Sequence, residues 1–405
     1  MRIHSAVLGV VLLVLNILSA HAAEKRYDAG ATDSEVRIGN IAQYSGPISA
    51  YGVFGNALEA YFTKINEEGG IDGRTIKFLS YDDAGSPAKA VEQARKLVES
   101  DEVLAILSPM GTPGNSAIHK YLNTKKVPQL FVGSGATKWA DPEHFPWTMG
   151  WLPSYQSEGR VYAAFLLKKK SDAKVGILYA NDDFGKDYLK GFKDGLGAAA
   201  KTTIVAEAPY ENTEPTIDSQ IVALRSAGAN TFFSISTAKF TSQAIKKLTE
   251  LNWKPLTIVT GVSASVSAVL EPAGLENSKD IISSTILKDP TDPQWKDDAE
   301  TKEYLAFMDK YYPNGSKTDT FIVSAYINAQ AMVQVLRQCG NDLTRANVMK
   351  QAASLKNFRA KMLLPGVLIN TSPTDFRPIK ELQLIKFNGK SWDRFGPIVN
   401  SEISN

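Results

Sequence analysis

The chain has 405 residues, 43% of them hydrophobic and 22% charged, with a formal net charge of +2. That length exceeds one ordinary core and calls for two or more domains of globular composition. Intermixed Lys/Arg and Asp/Glu give no basis for a nucleic-acid partner or an anionic membrane surface, and a single cysteine excludes an intramolecular disulfide.

Arg2 and His4 precede an apolar run from Val7 to Leu18, and Ala20-His21-Ala22 then offers an A-x-A cleavage site. This pattern predicts a cleavable signal peptide over residues 1–23 and an exported, soluble mature chain. The run falls short of the roughly 20 residues that a span needs. An uncleaved membrane anchor is the alternative reading, and no cysteine near the site suggests a lipid anchor.

After a polar leader over 24–34, strand and helix signals alternate. Residues 36–42 read as a strand and 55–67 as a helix with Leu58, Tyr61, Phe62 and Ile65 on one face. A turn over 68–73 leads to a strand over 75–81, and Ser86-Pro87 suits the start of a helix over 87–100. Strand 103–107, helix 116–125 and strand 129–132 complete a β-α-β-α-β rhythm, which implies a parallel sheet with right-handed crossovers. The rhythm restarts after Trp147 with helix 155–169, strand 174–180, helix 183–198, strand 203–208, helix 217–226, strand 231–235, helix 242–251 and strand 256–259. A second α/β domain of similar build follows.

The last third breaks the alternation. Helices are expected over 299–312, 320–337 and 344–355, then strands over 366–370, 382–387 and 390–394 with a turn at Asn388-Gly389. Helices without a sheet of their own must cover another domain's sheet. The chain is therefore expected to return to its first lobe and finish on its second. The expected boundaries are 35–148 plus 286–360 for lobe one, and 149–285 plus 361–400 for lobe two. Cys339 ends an apolar helical stretch and is expected to pack as a small hydrophobe, with a reactive thiol as the alternative.

Three strands run into small-residue loops that precede helices. They are Gln43-Tyr44-Ser45-Gly46-Pro47, Ser108-Pro109-Met110-Gly111-Thr112-Pro113-Gly114 and Gly133-Ser134-Gly135-Ala136-Thr137. Such loops gather along the carboxyl edge of a parallel sheet, where open α/β folds bind ligands. Hydroxyls and N–H groups at helix starts suit an anion such as a carboxylate, although helix capping is their plainer use. The loops hold no catalytic base. There is no G-x-S-x-G, no H-E-x-x-H, no Walker-type lysine motif and no histidine spacing for zinc, so neither an enzyme nor a cofactor or metal is expected. Asp82-Asp83 and Asp182-Asp183 read as strand-end caps, and Lys168-Lys169-Lys170 as a solvated helix end.

Six phrases in order carry a resemblance across nearly the whole mature chain. They are Val36-Arg37-Ile38-Gly39, Tyr44-Ser45-Gly46-Pro47, residues 66–74 (Asn66-Glu67-Glu68-Gly69-Gly70-Ile71-Asp72-Gly73-Arg74), Tyr81-Asp82-Asp83, Tyr179-Ala180-Asn181-Asp182-Asp183-Phe184-Gly185, and Phe387-Asn388-Gly389-Lys390-Ser391-Trp392. In these the chain resembles the periplasmic solute-binding proteins of ABC importers, specifically the branched-chain amino acid (Leu/Ile/Val) receptor family with the type I periplasmic fold. The resemblance implies two doubly wound lobes joined by a three-strand hinge, closing on a solute in the cleft. It also implies a periplasmic, monomeric, non-catalytic receptor whose loaded form meets the membrane permease subunits of an importer.

In that family the first lobe's strand-end loops hold the solute carboxylate. The matching positions here are Ser108, Met110 and Thr112, then Ser134, Ala136 and Thr137. The family's amino acid receptors hold the ammonium with an acid on a second-lobe loop, but the matching Thr260-Gly261-Val262-Ser263-Ala264 contains none. A buried ammonium without an acid is costly. Aromatic residues stand near the expected cleft instead: Tyr44, Tyr51, Trp139, Trp151, Tyr155 and Phe184. Such rings offer apolar walls, and packing beneath loops is their plainer use. With Ser45 and Val262 they complete the expected site for a small carboxylate-bearing solute, hydrophobic or aromatic. An amino acid receptor, or a ligand-sensing domain for a signalling partner, is the alternative.

Overall fold

Strands buried on both faces carry near-continuous apolar runs, and Thr231–Ile235 is buried at every position. A computed structural model describes residues 25–401, so the expected signal peptide lies outside the described residues. Four parallel strands form the first sheet in the order Thr75–Asp82, Glu35–Ala42, Ala105–Leu107, Gln129–Leu130. The second sheet runs Trp392–Arg394, Glu381–Phe387, Ile282–Thr285, Leu256–Val259, Thr231–Ile235, Val175–Ala180, Ile204–Tyr210. Its last five strands are parallel, and Glu381–Phe387 joins antiparallel to Ile282–Thr285. Two lobes result, and the chain passes between them three times: after Gln129–Leu130, after Ile282–Thr285 and before Glu381–Phe387.

Local chemistry sets the helix starts at the cleft edge of each sheet. Ser154 Oγ accepts from the Ser157 N–H, and the Asp182 carboxylate accepts from the N–H groups of Phe184 and Gly185. Helix Thr112–Lys125 begins differently. Its N-cap is Gly111 at φ 85, Pro113 occupies its first turn, and no side chain caps it. Pro113 has no N–H to satisfy there, and Gly111 adopts a backbone that other residues resist.

Several expectations need correction. The expected strand 129–132 ends at Leu130, because Phe131 turns the chain at φ 52. Residues 366–370 form no regular strand; Ile369 makes one isolated bridge to Phe358. Residues 361–379 were expected in the second lobe but pack with the first. Met362, Leu363, Leu364, Val367, Ile369 and Phe376 share a core with Val36, Ile38, Tyr326 and the helix Thr320–Cys339. The reason is backbone pairing: Leu364 N–H donates to Ile286 O and Lys288 N–H to Met362 O, holding this stretch against the returning crossover. Cys339 is buried in that core, as a small hydrophobe would be.

Helix Asp183–Leu196 sits tightly on the strand that feeds it: a Cβ at Gly185 would lie 1.9 Å from the Ala180 carbonyl oxygen. Gly185→Ala is therefore expected to destabilise the protein by about 1–3 kcal/mol through overpacking, read as a lower midpoint in urea unfolding. An unchanged midpoint would show that the helix shifts freely.

Candidate functional site

The carboxyl ends of both parallel sheets face one cavity of about 480 Å3, within the range of small-molecule sites. Met110, Gly111, Thr112 and Gly133 from the strand-end loops line its first-lobe wall. The first crossover contributes Trp151, Leu152, Pro153 and Tyr155, and the second lobe contributes Phe184, Thr237, Gly261 and Val262. Aromatic contacts fix much of this wall. Tyr155 stacks on Tyr188 at 4.3 Å and meets Phe184 edge-on at 5.3 Å, while Tyr51 lies 4.7 Å from Phe321.

Of the residues expected at the site, Tyr51, Met110, Thr112, Trp151, Tyr155, Phe184 and Val262 line this cavity. The other expected residues do not. Ser108 is fully buried, and its hydroxyl donates to Phe131 O at 2.6 Å. Ser45 donates to Asp82, away from the cavity. Thr137 gives its N–H and its hydroxyl to Asp187 Oδ2, at 2.8 and 2.9 Å. Ala136 and Trp139 are buried with the second lobe's core.

Ser134 is also buried, but it acts on a neighbour. Its Oγ accepts from the Ala136 N–H at 3.2 Å and from the Trp139 indole N–H at 3.0 Å. Thr112 Oγ1 lies 2.7 Å from it, and either hydroxyl can donate across that contact.

Sequence reasoning missed the most consequential polar group. The Thr260–Ala264 loop has no acid of its own, yet Glu158 from helix Tyr155–Lys169 lies against it and lines the cavity. Its Oε1 accepts from the Tyr162 hydroxyl at 2.6 Å, the Gly261 N–H at 2.8 Å and the Ser284 hydroxyl at 2.8 Å; its Oε2 accepts from the Tyr188 hydroxyl at 2.7 Å. Glu158 is 6% exposed and has no ion-pair partner among the described residues. Burial and this carboxylate push both Tyr162 and Tyr188 well above the ordinary tyrosine range, so both hydroxyls stay protonated as donors. An acid at position 158 sits one turn before Tyr162 on a face that also carries Tyr155 and Leu166, and that placement was the available signal.

The lobes touch across both rims. On one side Asp183 of the second lobe accepts from Ser116 at 3.0 Å and pairs with Lys138 at 2.6 Å. On the other, the Tyr51 hydroxyl accepts from the Ala238 N–H at 3.0 Å and donates to Val262 O at 3.2 Å. Burial raises Tyr51 to about 12, so it stays a neutral donor.

Two parallel-sheet lobes, three crossings and a shared cleft define the type I periplasmic binding protein architecture. A family model described as periplasmic binding protein matches residues 35–391, and the chain belongs to that family. Over 215 residues it is 27% identical to Leu/Ile/Val-binding protein homolog 3 of Brucella melitensis, covering 51% of this chain and 55% of that protein. The chain thus spans about half the length of that relative. A branched chain amino acid ABC transporter structure from Thermus thermophilus with bound valine superposes with a TM-score of 0.81 at 16% identity, covering 92% of this chain and 98% of that one. A fatty acid ABC transporter substrate-binding protein from Thermomonospora curvata superposes at 0.74 with 21% identity, covering 93% and 95%.

Tyr51→Phe keeps the ring against Phe321 and removes both hydrogen bonds between the lobes. Solute affinity is expected to fall about ten-fold, mainly through faster release in stopped-flow measurements, since two hydrogen bonds of about 0.5–1.5 kcal/mol each are lost. An unchanged release rate would mean that the clasp does not hold the closed form.

Proposed function

We propose that this chain is the extracytoplasmic receptor of an ABC importer, closing its lobes on a small carboxylate-bearing solute with a hydrophobic or aromatic body. It then presents the solute to membrane permease subunits. The observation that carries this reading is the start of helix Thr112–Lys125 at the cavity wall, with no side-chain cap and with the Thr112 hydroxyl on the lining. A helix N-terminus with a hydroxyl donor favours an anion without requiring a full counter-charge. Around it the lining is largely apolar, through Phe54, Met110, Trp151, Phe184, Val262 and Phe321. The fatty acid receptor from Thermomonospora curvata offers a precedent for a hydrophobic acid on this fold.

A second reading, an amino acid receptor, is favoured by Glu158. Among the described residues its Oε2 accepts one hydrogen bond, which leaves a lone pair for a solute ammonium. Of the other acids on the wall, Asp292 accepts from the Gln294 N–H, whereas Asp289 Oδ2 is buried with no hydrogen-bond partner among the described residues. Asp182 caps its helix, and Asp83 accepts from the Gly85 N–H and the Gln43 amide. Burial raises both above the usual carboxylate range.

A thermal-shift panel of cinnamate, octanoate, leucine and valine separates the two readings. A ligand at 100 times its dissociation constant adds about 2.7 kcal/mol of stability. Cinnamate or octanoate is expected to raise the melting temperature and leucine to leave it unchanged, with Thr112→Val weakening the acid about ten-fold. Tight leucine binding with no response to either acid would overturn the first reading. Glu158→Gln should then weaken leucine more than it weakens cinnamate.

A further inference from the structure

Among the buried tryptophans, one indole stands apart. Trp139 gives its N–H to Ser134 Oγ at 3.0 Å, and Trp392 gives its N–H to Ala264 O at 2.9 Å. The Trp151 N–H has no acceptor among the described residues, although only 2% of that residue is exposed. A buried donor left without an acceptor costs about 1–3 kcal/mol, and native structures seldom leave one so.

Position makes the orphan informative. Trp151 lies on the first crossover and lines the same cavity as Thr112. The crossover is tied down on its near side, where Met149 N–H donates to Gln129 O and Val132 N–H to Met149 O. The ring itself packs against Phe131 at 5.0 Å and an interplanar angle of 55°. It cannot turn to seek an acceptor elsewhere without breaking that packing.

We propose that the Trp151 indole N–H is a hydrogen-bond donor to the solute, and that together with the Thr112 hydroxyl it receives the solute carboxylate. This rests on the carboxylate reading above and extends it. The indole is then a specificity element as well as an apolar wall: it rewards an oxygen acceptor and leaves a hydrocarbon or purely cationic solute with an unmet donor. Both the acid and the amino acid readings supply that oxygen, so the assignment holds under either.

The test uses the full mature chain labelled with 15N, whose six tryptophans give six indole resonances. Trp151→Phe identifies the Trp151 resonance by its loss, and contacts to Phe131 identify it if the variant does not fold. Cinnamate, octanoate and leucine are titrated in turn. Saturation by whichever binds is expected to move the Trp151 indole proton downfield, and Trp151→Phe is expected to weaken that probe about ten-fold or more, as for a hydrogen bond to a charged group. Binding of a probe with an unmoved Trp151 resonance, or with affinity within two-fold in Trp151→Phe, overturns the proposal and leaves the receptor reading standing. Failure of all three probes to bind overturns the carboxylate reading and this proposal with it.

Discussion

A carboxylate taken out of water without a cation costs several kcal/mol unless hydrogen bonds replace its hydration. Glu158 has four such bonds, all from neutral donors, drawn from its own helix, the neighbouring helix, the strand Ile282–Thr285 and the Gly261 N–H. The network therefore fixes more than one side chain. It pins the start of the Thr260–Ala264 loop, and the carbonyl of Val262, one residue beyond Gly261, receives the Tyr51 hydroxyl from the other lobe. The second-lobe face of the cleft and the contact that closes it are both referred to this one buried anion.

The two rims are not equal partners in closure. Lys138 and Asp183 have side chains 40% and 50% exposed, and exposed pairs of this kind contribute about 0–1 kcal/mol. Tyr51 is sheltered, packed against Phe321, and its hydroxyl both accepts from and donates to backbone groups of the second lobe. Its geometry is satisfied only when the lobes are together. In the closure proposed above, a solute touching both walls at once would add to these rim contacts. That division suits a receptor that must also release its cargo.

The alternation of strands and helices was legible because parallel strands buried on both faces leave long apolar runs, and because caps such as Ser154 and Asp182 mark helix starts. The return of residues 361–379 to the first lobe was not legible. It depends on backbone pairing with Ile286 and Lys288, which leaves no periodic signal. Among the site residues, position along a loop was readable but side-chain direction was not. Ser108 turns inward to Phe131 O, whereas Thr112 faces the cavity, and the two look alike in sequence. Reading the second-lobe loop alone suggested that the cleft lacked an acid. The structure supplies one from more than a hundred residues earlier, since the Gly261 N–H and Glu158 are 103 positions apart.

Small-angle X-ray scattering of the mature protein, with and without a saturating cleft-binding solute, tests the central claim most directly. If the lobes close on the solute, the radius of gyration shrinks on saturation to the value calculated from the closed structure, and the solute-free protein is larger. An unchanged scattering curve on saturation, with the free protein already matching the closed form, would contradict binding by closure.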